Sequence, residues 1–139
     1  MLEIRDALPK DVVSVIEEDD GIIRTGYVGY EDIEYYYAMM NIFVLASYRE
    51  GFPTSVLEAS LMELPVIVTR ATGCIDSIIE GETGIFVNHD DKELQDAIMR
   101  LYESDNERVV MGARGRQFVI ENFKQEIIWQ EIEKLYKES

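Results

Sequence analysis

Cysteine is nearly absent from this chain: one thiol, Cys74, occurs in 139 residues. That excludes an internal disulfide and a four-thiolate zinc site, and it fits a reducing compartment. Histidine is as scarce, with His89 alone after a predicted strand, read as a loop residue rather than a catalyst. Cations are few, 13 Lys and Arg against 28 Asp and Glu, for a formal net charge of −15. The excess argues against nucleic acid or an anionic membrane surface as partner. Any anionic ligand must therefore be held by backbone N–H groups and a few local cations. Long apolar runs are missing as well. The most apolar stretch, Tyr35 to Tyr48, is too short to span a bilayer and is interrupted by Asn41. Met1-Leu2-Glu3-Ile4-Arg5-Asp6 carries early acids and no apolar segment of signal-peptide length, so a soluble, cytoplasmic protein is expected.

What remains is a core-forming composition. Apolar residues make up 47% and aromatics 10%, enough for one domain and against disorder. A helix is predicted from Pro9, burying Val12, Val13 and Ile16 and ending in the solvated acidic run Glu17-Glu18-Asp19-Asp20-Gly21. Ile22 to Gly29 reads as a short strand entering a glycine-flanked loop. Glu31 to Met40 reads as a helix with Ile33, Tyr36, Tyr37 and Met40 inward. Ile42 to Leu45 is a continuous apolar strand, expected to be buried on both faces.

Val66-Ile67-Val68-Thr69 is the next strand, Cys74 to Ile79 a short helix, and Gly84-Ile85-Phe86-Val87 a further strand after a turn. Asp90 or Asp91 caps a helix through Leu94, Ile98, Leu101 and Tyr102. Another helix covers about Asn106 to Glu121, weakened by Gly112 and Gly115, and Gln125 to Lys137 forms the last. Strands alternate with helices before a helical final third. The fold class is therefore α/β, with a mainly parallel sheet and helices on both faces.

The stretch from Ala46 to Ala59 joins two of these strands and carries the chemistry. Strand, Gly/Pro loop, helix and strand make one βαβ unit, with the loop at a strand's carboxyl end, where open parallel sheets bind ligands. The helix start offers the N–H groups of Thr54, Ser55, Val56 and Leu57 and a partial positive charge. Gly51 permits close backbone approach and Pro53 suits a helix entry, so a phosphate or diphosphate fits here. Glu50 and Glu58 bracket the loop. Spacing alone leaves Glu58 open to a plainer role, since Ser55-x-x-Glu58 matches a capping box, and leaves Glu50 open as a solvated loop residue.

The ordered set of motifs resembles a known family. Glu50-Gly51-Phe52-Pro53, Leu57-Glu58-Ala59 and Pro65-Val66-Ile67 look like the donor-binding signature of retaining GT-B glycosyltransferases of family four, the group 1 type. Thr25-Gly26-Tyr27-Val28, Tyr36-Tyr37-Ala38, Phe43-Val44-Leu45, Gly73-Cys74, Gly81-x-x-Gly84 and Met111-Gly112 continue the likeness over residues 9 to 136. It implies a Rossmann-like domain binding a nucleotide-diphosphate sugar, most often a UDP-sugar, with no metal and no cofactor. It implies Glu50 as the catalytic residue holding sugar hydroxyls, and Glu58 on the ribose. Gly51, Phe52, Pro53 and the helix start at Thr54, Ser55 and Val56 would face sugar and diphosphate, and Tyr27 and Val28 the base.

The chain departs from the pattern at several points. The family's glycine two residues before Pro65 is Glu63 here, its Pro-Ser before the signature is Ala46-Ser47, and its Gly-Gly-x-x-Glu is Thr72-Gly73-Cys74-Ile75-Asp76. The resemblance further implies that an opening strand–helix unit and an acceptor-binding N-terminal domain would precede Met1. Residues 1–139 are then expected to be a single partial donor-binding domain, inactive alone, from an enzyme of bacterial capsular or other surface polysaccharide synthesis. Its acceptor would be lipid-linked or a saccharide. A non-catalytic nucleotide- or protein-binding α/β module is the competing reading.

Overall fold

The computed structural model describes residues 17–19, 22–24, 28–29, 31–46, 53–71 and 74–126. Two compact units divide the chain, Met1–Met40 and Asn41–Ser139.

In the first unit, strands β1 (Glu17–Asp19) and β2 (Ile22–Arg24) pair antiparallel, with Asp19 opposite Ile22. Glu17 to Asp19 of the acidic run expected to end a helix thus form a strand. The sequence signal for it is the Asp-Gly dipeptide at 20–21 ahead of β-branched Ile22 and Ile23, a pattern typical of hairpins. The helix expected before it, residues 9–16, lies outside the described residues. Helix α1 (Ile33–Met39) follows, burying Tyr36 and Tyr37. Val28, Met39 and Met40 pack against Tyr36. The Tyr36 hydroxyl is buried without a hydrogen-bond partner. Burial, and then the Asp32 carboxylate, raises its pKa above the ordinary 10.0, because both disfavour a phenolate there.

The second unit is built on a parallel sheet in the order β3 (Phe43–Leu45), β4 (Val66–Thr69), β5 (Gly84–Val87). The register places Val44 beside Ile67 and Ile67 beside Ile85. β4 is central and wholly buried, as its unbroken run of Val, Ile and Thr anticipates. β3 lies at the side of this sheet. Val44 is 37% exposed, so the expected burial of that strand on both faces does not hold. Side chains alternate across a strand. Ile67, Ile85 and Val87 form one cluster with Ala97 and Leu101 of α3 (Asp91–Tyr102) and Met111 of α4 (Asp105–Asn122). Leu94 and Ile98 pack against the same cluster, whereas Tyr102 is exposed.

Between β3 and β4 runs α2 (Thr54–Leu61), which buries Val56, Leu57, Ala59 and Ser60. Between β4 and β5 the chain makes turns instead of the expected helix. The Cys74 N–H donates to Ala71 O at 3.1 Å, the Ser77 N–H to Cys74 O at 3.0 Å, and the Ser77 hydroxyl to Cys74 O at 2.6 Å. A hydroxyl that satisfies a carbonyl three residues back ends the turn rather than extending it. Gly84 opens β5 because a Cβ there would stand 2.7 Å from Val66 Cγ2 and 2.9 Å from Val66 O. α3 is capped by Asp90, which accepts from the Glu93 N–H at 3.0 Å, and α4 by Ser104, which accepts from the Glu107 N–H at 3.1 Å. The expected final helix lies, from residue 127 on, outside the described residues.

Candidate functional site

The carboxyl ends of β3, β4 and β5 lie side by side, as a parallel sheet requires. Beyond them a small cavity of about 100 Å³ is lined by Ala46, Thr69, Asn88, His89 and Asp90, among others. Asn88, His89 and Asp90 turn into α3. The Glu93 carboxylate accepts from the Asn88 N–H at 3.0 Å and from its side-chain amide at 3.2 Å, so these side chains serve the helix entry. His89 is exposed in this loop.

The other helix entered from a strand's carboxyl end is α2. Its N-cap is Pro53, buried, with φ −81° and ψ 89° and no side-chain cap. Ser55 is therefore inside the first turn rather than at the cap. A capping box from Ser55 to Glu58 does not form, because that motif needs the serine one residue outside the helix. The Val56 N–H donates to Pro53 O at 3.1 Å. Thr54 and Ser55 precede any acceptor within the helix, so theirs are the N–H groups this turn directs outward.

α2 also lacks any acidic residue in its first turn, whereas α3 has Asp91 and Glu93 and α4 has Asp105 and Glu107. Among the described helices, α2 alone has neither a side-chain cap nor a first-turn carboxylate. In a chain of net charge −15, the positive end of α2 thus meets no carboxylate from its own first turn.

Glu58 is half-buried one turn along α2. Glu50, Gly51 and Phe52, with Tyr27, lie outside the described residues. Val28 is half-buried against Tyr36 in the first unit. The structure thus brings Pro53, Thr54, Ser55, Val56 and Glu58 together on one helix entry. Among the described residues no group of three His, Cys, Asp or Glu side chains could hold a metal ion, and no helix is long and apolar enough to cross a membrane.

The exit of α2 went unread in the sequence. Its last turn closes with the Glu63 N–H donating to Ser60 O at 3.0 Å and the Leu64 N–H to Ala59 O at 3.1 Å. This paired closure puts the residue after the C-cap in the left-handed region, and Glu63 has φ 60° there. The available signal was positional, since glycine is the residue that suits this conformation without strain.

Residues 5–104 match the glycosyl transferases group 1 family. The capsular polysaccharide biosynthesis glycosyltransferase CapM of Staphylococcus aureus is 40% identical over 102 residues, which is 73% of this chain and 27% of that protein. The chain thus spans about a quarter of the length of this curated relative. Sucrose-phosphate synthase of Thermosynechococcus elongatus superposes with a TM-score of 0.67 at 31% identity, over 81% of this chain and 29% of that one. The C-terminal domain of a glycosyl transferase group 1 family protein (LpcC) from Francisella tularensis superposes with a TM-score of 0.65 at 26% identity, over 70% of this chain and 51% of that one. With its parallel Rossmann-like sheet and the helix entry at the strand ends, the chain belongs to the group 1 glycosyltransferases of GT-B fold.

Proposed function

We propose that this chain is the nucleotide-sugar-binding half of a retaining glycosyltransferase, one partial donor-binding domain serving bacterial capsular or other surface polysaccharide synthesis. The observation that carries the reading is the start of α2 at the carboxyl end of β3, with no side-chain cap and no carboxylate in its first turn. In a strongly acidic chain such an end suits a diphosphate better than any internal partner. Likeness to CapM supports the polysaccharide assignment, and likeness to the LpcC C-terminal domain supports the donor half.

In this reading the amides of Thr54 and Ser55 bind the diphosphate of a UDP-sugar, Glu58 takes the ribose hydroxyls, and Glu50 the sugar hydroxyls. Tyr27 and Val28 border the base. As the sugar C1–O bond breaks, its electron pair passes to the diphosphate and the sugar becomes oxocarbenium-like. The donors stabilise that charge where it develops, without reorganising. The acceptor hydroxyl attacks from the same face and gives up its proton to the departing phosphate oxygen, so the configuration is retained. No metal is required. The acceptor, lipid-linked or saccharide, is held by an N-terminal domain of the same enzyme, and this chain alone transfers nothing. The enzyme works in the cytoplasm, the full protein reaching the inner face of the membrane.

Calorimetric titration with UDP tests the site. The chain should bind UDP, and Glu58→Ala should weaken binding about tenfold, the loss of one hydrogen-bonded carboxylate. Equal affinity in the variant removes the ribose role, and no binding by the parent chain removes the donor site itself.

A further inference from the structure

α2 has eight residues, so its two ends are only about 12 Å apart. Its far end packs closely against the glycines of α4. A Cβ on Gly112 would stand 2.0 Å from Glu63 O, and one on Gly115 would stand 3.6 Å from Ser60 Cβ. Between these contacts the Arg116 guanidinium donates from Nη1 to Leu61 O.

Leu61 O is among the last carbonyls of α2, which find no donor within the helix. α2 has no basic residue in its own last turn. Arg116 therefore supplies from another helix both the missing donor and the cation that suits a helix C-terminus. Its side chain is exposed, so it fills no core volume. It acts on α2 only through this bond at the exit.

We propose that Arg116 is a positioning residue for donor binding: by holding the exit of α2 it keeps the Thr54 and Ser55 amides aimed at the ligand's diphosphate. This rests on the donor site proposed above. Arg116 itself touches no ligand.

The test compares Arg116→Met and Arg116→Lys with the parent 139-residue chain, by amide hydrogen exchange and by UDP titration. In Arg116→Met, exchange across α2 should rise severalfold while β4 and α3 stay protected, and UDP affinity should fall about tenfold. Arg116→Lys, which keeps a cation and a donor, should recover part of both. Unchanged exchange in α2 overturns the proposal, as does faster exchange with unaltered UDP affinity. Faster exchange throughout the sheet makes Arg116 an ordinary stabilising residue and overturns it too. Failure of the parent chain to bind UDP is a separate result, which removes the donor site and the proposal with it.

Discussion

Glu63→Gly should stabilise this protein, although it deletes a whole side chain. Glu63 has φ 60°, and a left-handed conformation costs an L-residue about 1–2 kcal/mol because Cβ crowds the following carbonyl. Glycine escapes that cost but gains freedom in the unfolded chain, which returns about 0.5–1 kcal/mol. Glu63 is exposed, so little packing is lost with it. The net expectation is a gain of about 0.5–1 kcal/mol, or roughly 2–4 °C in Tm for a domain of this size. Urea and thermal unfolding followed by circular dichroism measure it, with the urea m-value unchanged. Glu63→Ala is the control, because alanine keeps the Cβ and should gain nothing. Glu63→Asn should fall between, since asparagine tolerates this region. Loss of stability in Glu63→Gly, or an equal gain in Glu63→Ala, would refute the strain argument.

Gly112→Ala should cost about 2–3 kcal/mol, because its Cβ would meet the backbone carbonyl of Glu63 rather than a side chain that can turn away; the urea midpoint reports it. Tyr36→Phe should be neutral or stabilising by up to ~1 kcal/mol, since it removes a buried hydroxyl that has no partner. With the folded pKa raised, the Tyr36 contribution is fully present below pH 10.0 and is lost as pH climbs from there through the folded value. Tyr36→Phe should therefore lessen the alkaline loss of stability in denaturant melts, and an unchanged alkaline limb would count against burial of this hydroxyl.

The central sheet was legible because its strands announce themselves. Val66 to Thr69 is an apolar, β-branched run too short for a helix, and Pro65 and Gly84 punctuate it and its neighbour. The start of α3 was readable to within one residue: of Asp90 and Asp91, Asp90 is the cap, accepting from the Glu93 N–H, while the Glu93 carboxylate turns back to the Asn88 N–H. The misses have physical causes as well. Glu17 to Asp19 has no strand composition, and its pairing partner determines its conformation, which a charge-run argument does not weigh. Cys74 to Ile79 has helical spacing, but the Ser77 hydroxyl and the Thr83 hydroxyl, which accepts from the Ile79 N–H at 2.7 Å, divert the backbone into turns. Gly112 and Gly115 were weighed as helix weakeners, a local cost of about 1 kcal/mol each. Their value is non-local, since they let α4 approach the backbone of the α2 exit and, at Gly115, Thr83 O.

These irregularities converge on one short element. A helix of eight residues is too short to persist alone, and one without a cap frays from its first turn. If this first turn binds the diphosphate proposed above, it must keep its amides open, so stability has to be supplied elsewhere. In α2 it comes from the buried Val56, Leu57 and Ala59 and from the exit, where Glu63 accepts a strained conformation, Gly112 gives up a side chain, and Arg116 closes a carbonyl. Local rules are broken at both ends of this helix and kept at the entries of α3 and α4. On the function proposed above, departures concentrated in this way are what an element shaped for binding rather than for its own stability would show.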